Sequence, residues 1–124
     1  MSDIAAKILV VDDDLFTAEL TGMVIEMVGY EAVIAEGGMD ALEKLAGDSE
    51  IRAVLSDMNM PFMDGEQLFS EMRDRGFRQP FVLLTGNDAV SLRSAYPDMD
   101  AVMTKDENLQ DNLPGVLQEL LMRG

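Results

Sequence analysis

Short apolar runs alternate along the chain with segments whose apolar residues recur every three or four positions. KILVV (7–11) is apolar without a break after its lysine, as a strand covered on both faces must be. The next segment carries Phe16, Leu20, Met23, Val24 and Met27 at the spacing of one helix face. Gly29 follows where such a helix would stop. EAVIA (31–35) reads as a second strand. GGMDALEKLAG (37–47) reads as a short helix with Met39, Leu42 and Leu45 inward, and IRAVLS (51–56) as a third strand. Asp64 with Gln67 three residues on forms a capping-box pattern, opening a helix over about 65–75 with Leu68, Phe69 and Met72 inward. PFVLLT (80–85) is the fourth strand, a weak helix is expected around 88–95, and AVMTK (101–105) is the fifth strand. The last helix is expected to begin near Leu113 and Pro114, since proline suits a first turn, with Val116, Leu117, Leu120 and Leu121 buried.

The pattern is strand then helix, five times over. Apolar strands alternating with amphipathic helices imply an α/β fold, a parallel sheet with helices on both faces. The common doubly wound order for five strands is 2-1-3-4-5, with its switch point between the first and third strands. No repeat, low-complexity tract or linker interrupts the chain, so a single domain is expected.

Composition narrows the chemistry. The chain has 124 residues, 48% of them hydrophobic, with neither cysteine nor histidine. Disulfides, thiolate metal sites and imidazole catalysis are thereby excluded. The start MSDIAAK has no basic n-region or long apolar h-region, and no apolar run approaches the ~20 residues of a membrane span. A cytoplasmic protein without membrane insertion is expected. The 24 acidic and 9 basic residues give a net charge of −15, and no basic block offers itself to nucleic acid. Most of the eleven methionines are expected at core positions.

Ligands of doubly wound sheets bind at the carboxyl ends of the strands. There the first strand ends in Asp12 and Asp13, the third in Asp57, the fourth in Thr85 and the fifth in Lys105. Residues far apart in sequence are thus gathered on one edge. At ~5 Å and an effective dielectric of ~20, each pair of ionised carboxylates repels by roughly 3 kcal/mol, so a compensating cation is expected. An all-oxygen donor set suits Mg²⁺. Lys105 supplies a point charge for a phosphate, Thr85 a hydroxyl donor, and the Asp57 carboxylate a nucleophile able to form an aspartyl phosphate. DMNMPFMDG, the stretch around Asp57, lacks the ligand and glycine pattern of a calcium loop.

ILVVDDD, LSDMNMPFMDG, FVLLTG and VMTK, in that order, resemble the receiver domain of bacterial two-component response regulators, of the single-domain, chemotaxis-regulator-like kind. The resemblance covers essentially the whole chain and implies a flavodoxin-like fold, with residues 1–124 a receiver and no output domain. It implies that Asp57 accepts phosphate from a histidine kinase or histidine phosphotransfer protein. It implies that Asp12, Asp13, Asp57 and the Asn59 backbone carbonyl hold Mg²⁺, that Thr85 moves toward the phosphoryl group, and that Lys105 pairs with it. Asp14 is expected to cap or flank the first helix. Two departures stand out. Val102 occupies the position, three before the lysine, where the family often has an aromatic switch residue, and Asp106 stands where proline usually follows the lysine. A β-branched Val102 has a stiff χ1 and little volume to move, so any switch is expected to run through residues 86–88 and the weak helix beyond. Two functional classes follow: a phosphorylation-dependent switch or phosphate shuttle acting on a protein partner, and a binding module of the same fold that works without phosphate. A small aspartate-nucleophile phosphatase is disfavoured, because Asn59 stands where its second aspartate would be.

Overall fold

The computed structural model describes residues 6–86, 94–106 and 108–123. Five strands, β1 (Lys7–Val11), β2 (Glu31–Ala35), β3 (Ile51–Asp57), β4 (Phe81–Thr85) and β5 (Ala101–Thr104), form one sheet in the order β2-β1-β3-β4-β5. Every pairing is parallel, with Val10 opposite Ile34, Leu9 opposite Val54, Asp57 opposite Leu84 and Thr85 opposite Thr104. The expected order is therefore observed. Within β1, successive side chains point to opposite faces. Leu9 and Val11 enter the core shared with α2 (Gly38–Gly47) and α3 (Gly65–Asp74), while Ile8 and Val10 enter the core under α1 (Leu15–Met27) and α4 (Leu109–Arg123). Burial on both faces is why the strand has no polar alternation.

Four helices lie among the described residues. The helix expected around 88–95 falls mostly outside them; residues 94 and 95 are helical. No helix among the described residues is long and apolar enough to cross a membrane.

Three expectations are corrected. The first concerns α1, which buries Ala18, Thr21, Gly22 and Ile25, not the predicted face. Phe16 is 69% exposed and Met27 82%, Leu20 and Met23 also face outward, and of the predicted face only Val24 packs half-buried against the core. The cause is close approach. A Cβ on Gly22 would lie 3.2 Å from the Ala32 Cβ and 3.5 Å from the Ile34 Cδ1, so the helix comes down on β2 along its smallest residues. Apolar residues surround this helix, and periodicity alone does not choose between its faces.

In α2, Met39 is exposed while Ala41, Leu42 and Leu45 are buried. Of the described methionines, Met60, Met72 and Met99 are buried and Met58, Met63 and Met103 pack half-buried against the core, as expected, while Met23, Met27, Met39 and Met122 are exposed. Finally, α4 begins at Leu109, ahead of Pro114, which sits inside the helix. The Asp106 carboxylate accepts the Asn108 N–H at 2.9 Å, and the Leu109 N–H donates to the Asp106 carbonyl at 3.1 Å, so the turn is set there. Pro114 lacks the N–H that would return to the Gln110 carbonyl, and Gln110 is exposed, where water can take that bond.

The other caps agree with expectation. Asp14 Oδ1 accepts the Phe16 and Thr17 N–H groups at 3.1 and 3.3 Å. The Asp64–Gln67 capping box is complete, its bonds 2.8 and 3.0 Å long. Gly29 takes φ of +100° just past α1, a conformation that glycine adopts without steric cost.

Candidate functional site

Parallel register carries the carboxyl ends of β1 and β3 side by side, and the polar residues begin where the apolar runs stop. Asp12, Asp13 and Asp57 each place a carboxylate oxygen within 4.8 Å of the other two. Asp12 and Asp57 are buried, whereas Asp13 is exposed. One Asp12 oxygen accepts the Asp14 N–H at 2.9 Å, tying the loop to the start of α1.

Lys105 follows β5 directly, its N–H donating to the Thr85 carbonyl at 2.7 Å. That bond sends its side chain back over the strand ends. The Lys105 Nζ donates to Asp12 Oδ2 and to Asp57 Oδ1, each at 3.1 Å. The expected repulsion among the carboxylates is therefore partly offset from within, by a lysine that the sequence suggested only as a partner for phosphate.

Burial pushes the Asp57 carboxyl above its usual pKa; Lys105 pulls it down, and Asp12 and Asp13 push it up again. Burial also works against the Lys105 ammonium, but Asp12 and Asp57 outweigh it and its pKa lies above the ordinary lysine value. The group is one cation among three acids, with negative charge in excess.

The β3–α3 loop holds Asp57 in place. The Met58 N–H donates to the Leu84 carbonyl, and the Gly65 N–H to the Met58 carbonyl, both at 2.9 Å. Gly65 allows this closure. A Cβ there would stand 2.6 Å from the Leu83 Cδ1 and 2.7 Å from the Asp57 carbonyl oxygen. A glycine at the first position of a helix, where better helix formers are available, was the sequence signal for this contact. Asn59, two residues past Asp57, is exposed and takes part in no hydrogen bond among the described residues, so its carbonyl is available to a ligand.

Phe62, in the same loop, is fully exposed with φ of +69°. A bulky side chain in that region is strained, and the sequence reading gave Phe62 no role. Thr85 lies fully buried at the end of β4, next to this edge. Thus Asp12, Asp13, Asp57 and Lys105 are brought together as one cluster, with Thr85 and Asn59 on its neighbouring strand end and loop. Val102 is half-buried in β5 opposite Leu83; residues 87–93, through which a switch was expected to run, lie outside the described residues.

A cluster of carboxylate oxygens with no nitrogen or sulfur donor is hard, and it suits Mg²⁺ in donor chemistry.

The family model of the response regulator receiver domain matches residues 8–113. The response regulator MprA of Mycobacterium ulcerans is 37% identical over 119 residues, which are 96% of this chain and 48% of that protein. The chain thus spans about half the length of the curated relatives it matches. Among solved structures, the response regulator protein TrrA of Thermotoga maritima, in complex with Mg²⁺-BeF, has a TM-score of 0.82 at 29% identity, covering 92% of this chain and 97% of that one. A CheY-like receiver domain protein of Methanospirillum hungatei has a TM-score of 0.78 at 27% identity and covers 94% of each chain. With the acidic edge built as described and a family match from β1 into α4, this chain belongs to the response regulator receiver domains of two-component signalling.

Proposed function

We propose that residues 1–124 act as a phosphorylation-dependent switch or phosphate shuttle in which Asp57 is the acceptor. A histidine kinase or histidine phosphotransfer protein is the donor. The observation that carries this reading is Lys105 held 3.1 Å from both Asp12 and Asp57 at the carboxyl edge of the sheet. It supports the reading because a carboxylate able to attack phosphorus and a cation able to take phosphate stand 3.1 Å apart.

Asp57 Oδ1 is engaged by Lys105, while Oδ2 accepts no hydrogen bond among the described residues and keeps its lone pairs for attack. Attack on the phosphorus forms the aspartyl O–P bond as the donor's P–N bond breaks and its imidazole leaves. The excess negative charge among the three acids rises as a phosphate arrives. Asp12, Asp13, Asp57 and the Asn59 carbonyl would hold Mg²⁺, which supplies charge neutralisation when bound. Lys105 then exchanges a carboxylate oxygen for a phosphoryl oxygen, and the Thr85 hydroxyl donates to another. TrrA, solved with Mg²⁺-BeF, supports an Mg²⁺ site on this fold. The phosphorylated form differs in affinity for a protein partner, and the charge of −15 favours a basic surface over nucleic acid.

Acetyl phosphate with Mg²⁺, followed by phosphoprotein gel retardation, tests the reading. One retarded band is expected for the wild type and none for Asp57→Asn. An unretarded wild type would leave the phosphate-independent binding module as the better account. A retarded Asp57→Asn would move the acceptor elsewhere.

A further inference from the structure

The sheet has a second functional-looking edge, opposite the acidic one. Where β3 begins and the loop from α3 enters β4, the fold leaves an open cleft of about 550 Å³. Its walls are largely apolar, with Leu45 from α2, Ile51 from β3, Phe77 from the loop and Leu121 from α4. That volume lies within the roughly 300–1,000 Å³ of small-molecule sites, which typically combine apolar walls with a few polar groups.

Two observations point to what the polar groups would meet. The first is charge. Lys7, Lys44, Arg73, Arg75 and Lys105 each hold a carboxylate. Among the described side chains, Arg52 and Arg78 are the two basic groups with no ion pair, and both line this cleft. The chain carries 24 acidic residues, yet both of these guanidiniums stand at the cleft without a carboxylate.

The second is the backbone. Lys7 pairs with Ile51 and Ile8 with Ala53, so Arg52 is skipped in a bulge, a device that re-aims a side chain. Gln79 lines the same cleft, its Nε2 tied to the Ile51 carbonyl at 3.3 Å.

We propose that this cleft binds a small organic anion: a carboxylate or phosphate ester on an apolar body. The head pairs with Arg52 and Arg78, and the body lies on Leu45, Phe77 and Leu121. No residue of the acidic edge takes part, so the site is independent of Asp57 phosphorylation.

N-octanoylglycine supplies both elements, and N-octanoyl-O-phosphoethanolamine replaces its carboxylate with a phosphate. The methyl ester of the first is the neutral control. Titration of the full chain without Mg²⁺, followed by backbone amide NMR, should show saturable shifts confined to residues 45–52, 76–80 and 120–121. The ester should bind at least about tenfold more weakly, the loss of one charge-assisted contact. The paired substitution Arg52→Gln and Arg78→Gln should weaken both acids by about tenfold or more, with Tm and Asp57 phosphorylation unchanged, because neither arginine holds a partner in the fold. The tighter of the two acids identifies the head group. Absence of saturable shifts by about 5 mM would overturn the proposal, as would equal affinity for acid and ester. Undiminished binding of the acids by the paired variant would overturn it as well.

Discussion

Lys105→Gln should destabilise the metal-free protein while increasing what Mg²⁺ adds to its stability. The lysine lies 3.1 Å from a carboxylate oxygen of Asp12 and of Asp57. At that distance and an effective dielectric of ~20, each contact carries about 5 kcal/mol of gross attraction. Most of this is cancelled by the desolvation of three charges. Removing one member of a buried pair typically costs about 3–5 kcal/mol, because the other charge is left uncompensated. Here the lysine side chain is 24% exposed, so water recovers part of that, and a net loss of about 2–3 kcal/mol follows. At ~2.1 cal/mol/K per residue of unfolding entropy, this chain shifts by about 4 °C per kcal/mol, which predicts a fall in Tm of about 8–12 °C. Glutamine keeps length and polarity but carries no charge, so the carboxylates are freed for a cation. Mg²⁺ should therefore raise the Tm of the variant more than that of the wild type. Differential scanning calorimetry in chelator and then in excess Mg²⁺ reads both effects. A metal-free Tm within about 2 °C of wild type would show that Lys105 does not hold the cluster together. A smaller Mg²⁺ increment in the variant would show that lysine and cation do not share ligands.

Further consequences follow from the same geometry. In the folded chain the Asp57 carboxyl titrates above its ordinary 3.8, so the folded state binds this proton more tightly than the unfolded one. Its contribution is therefore most favourable below the unfolded value and is lost as pH rises through the folded one. Asp57→Asn should raise metal-free stability at neutral pH, and carboxyl ¹³C NMR should place the Asp57 midpoint above 3.8; a midpoint at or below it would refute the assignment. Gly65→Ala brings a Cβ to 2.6 Å from Leu83, and urea denaturation should show a loss of about 1–3 kcal/mol together with slower Asp57 phosphorylation. Phe62→Asn relieves a left-handed aromatic that buries nothing, and it should stabilise the chain by about 0.5–1 kcal/mol in the same assay; a loss would mean that the ring is held by contacts after all. Phe16→Ser and Met27→Lys on the outward face of α1 should change stability by no more than about 0.5 kcal/mol each, whereas an inward face would cost several times that.

Much of this molecule was legible without coordinates. Apolar runs with no polar alternation gave parallel strands, since a strand must be covered on both faces before its sequence loses period two. Once the strands were placed, the doubly wound order put Asp12, Asp13, Asp57, Thr85 and Lys105 on one edge, and the structure has the same order. The Asp14 cap and the Asp64–Gln67 box were readable because they are local, their partners two or three residues away.

The features that needed the tertiary structure depend on packing between distant segments. Which face α1 buries was decided by the close fit of Gly22 against Ala32, because a helix with apolar residues all round carries no directional signal of its own. Pro114 could sit inside α4 because the turn at Asp106 starts the helix early and Gln110 is exposed. Lys105 became the internal counterion of Asp12 and Asp57, residues 93 and 48 positions away, because the register of β5 on β4 returns its side chain over the strand ends. Arg52 and Arg78 look like ordinary surface charges until the other basic groups among the described side chains are seen to be paired. Periodicity and local hydrogen bonding are written in consecutive residues, whereas the choice of a helix face and the pairing of charges follow from distances that exist only after the chain has closed on itself.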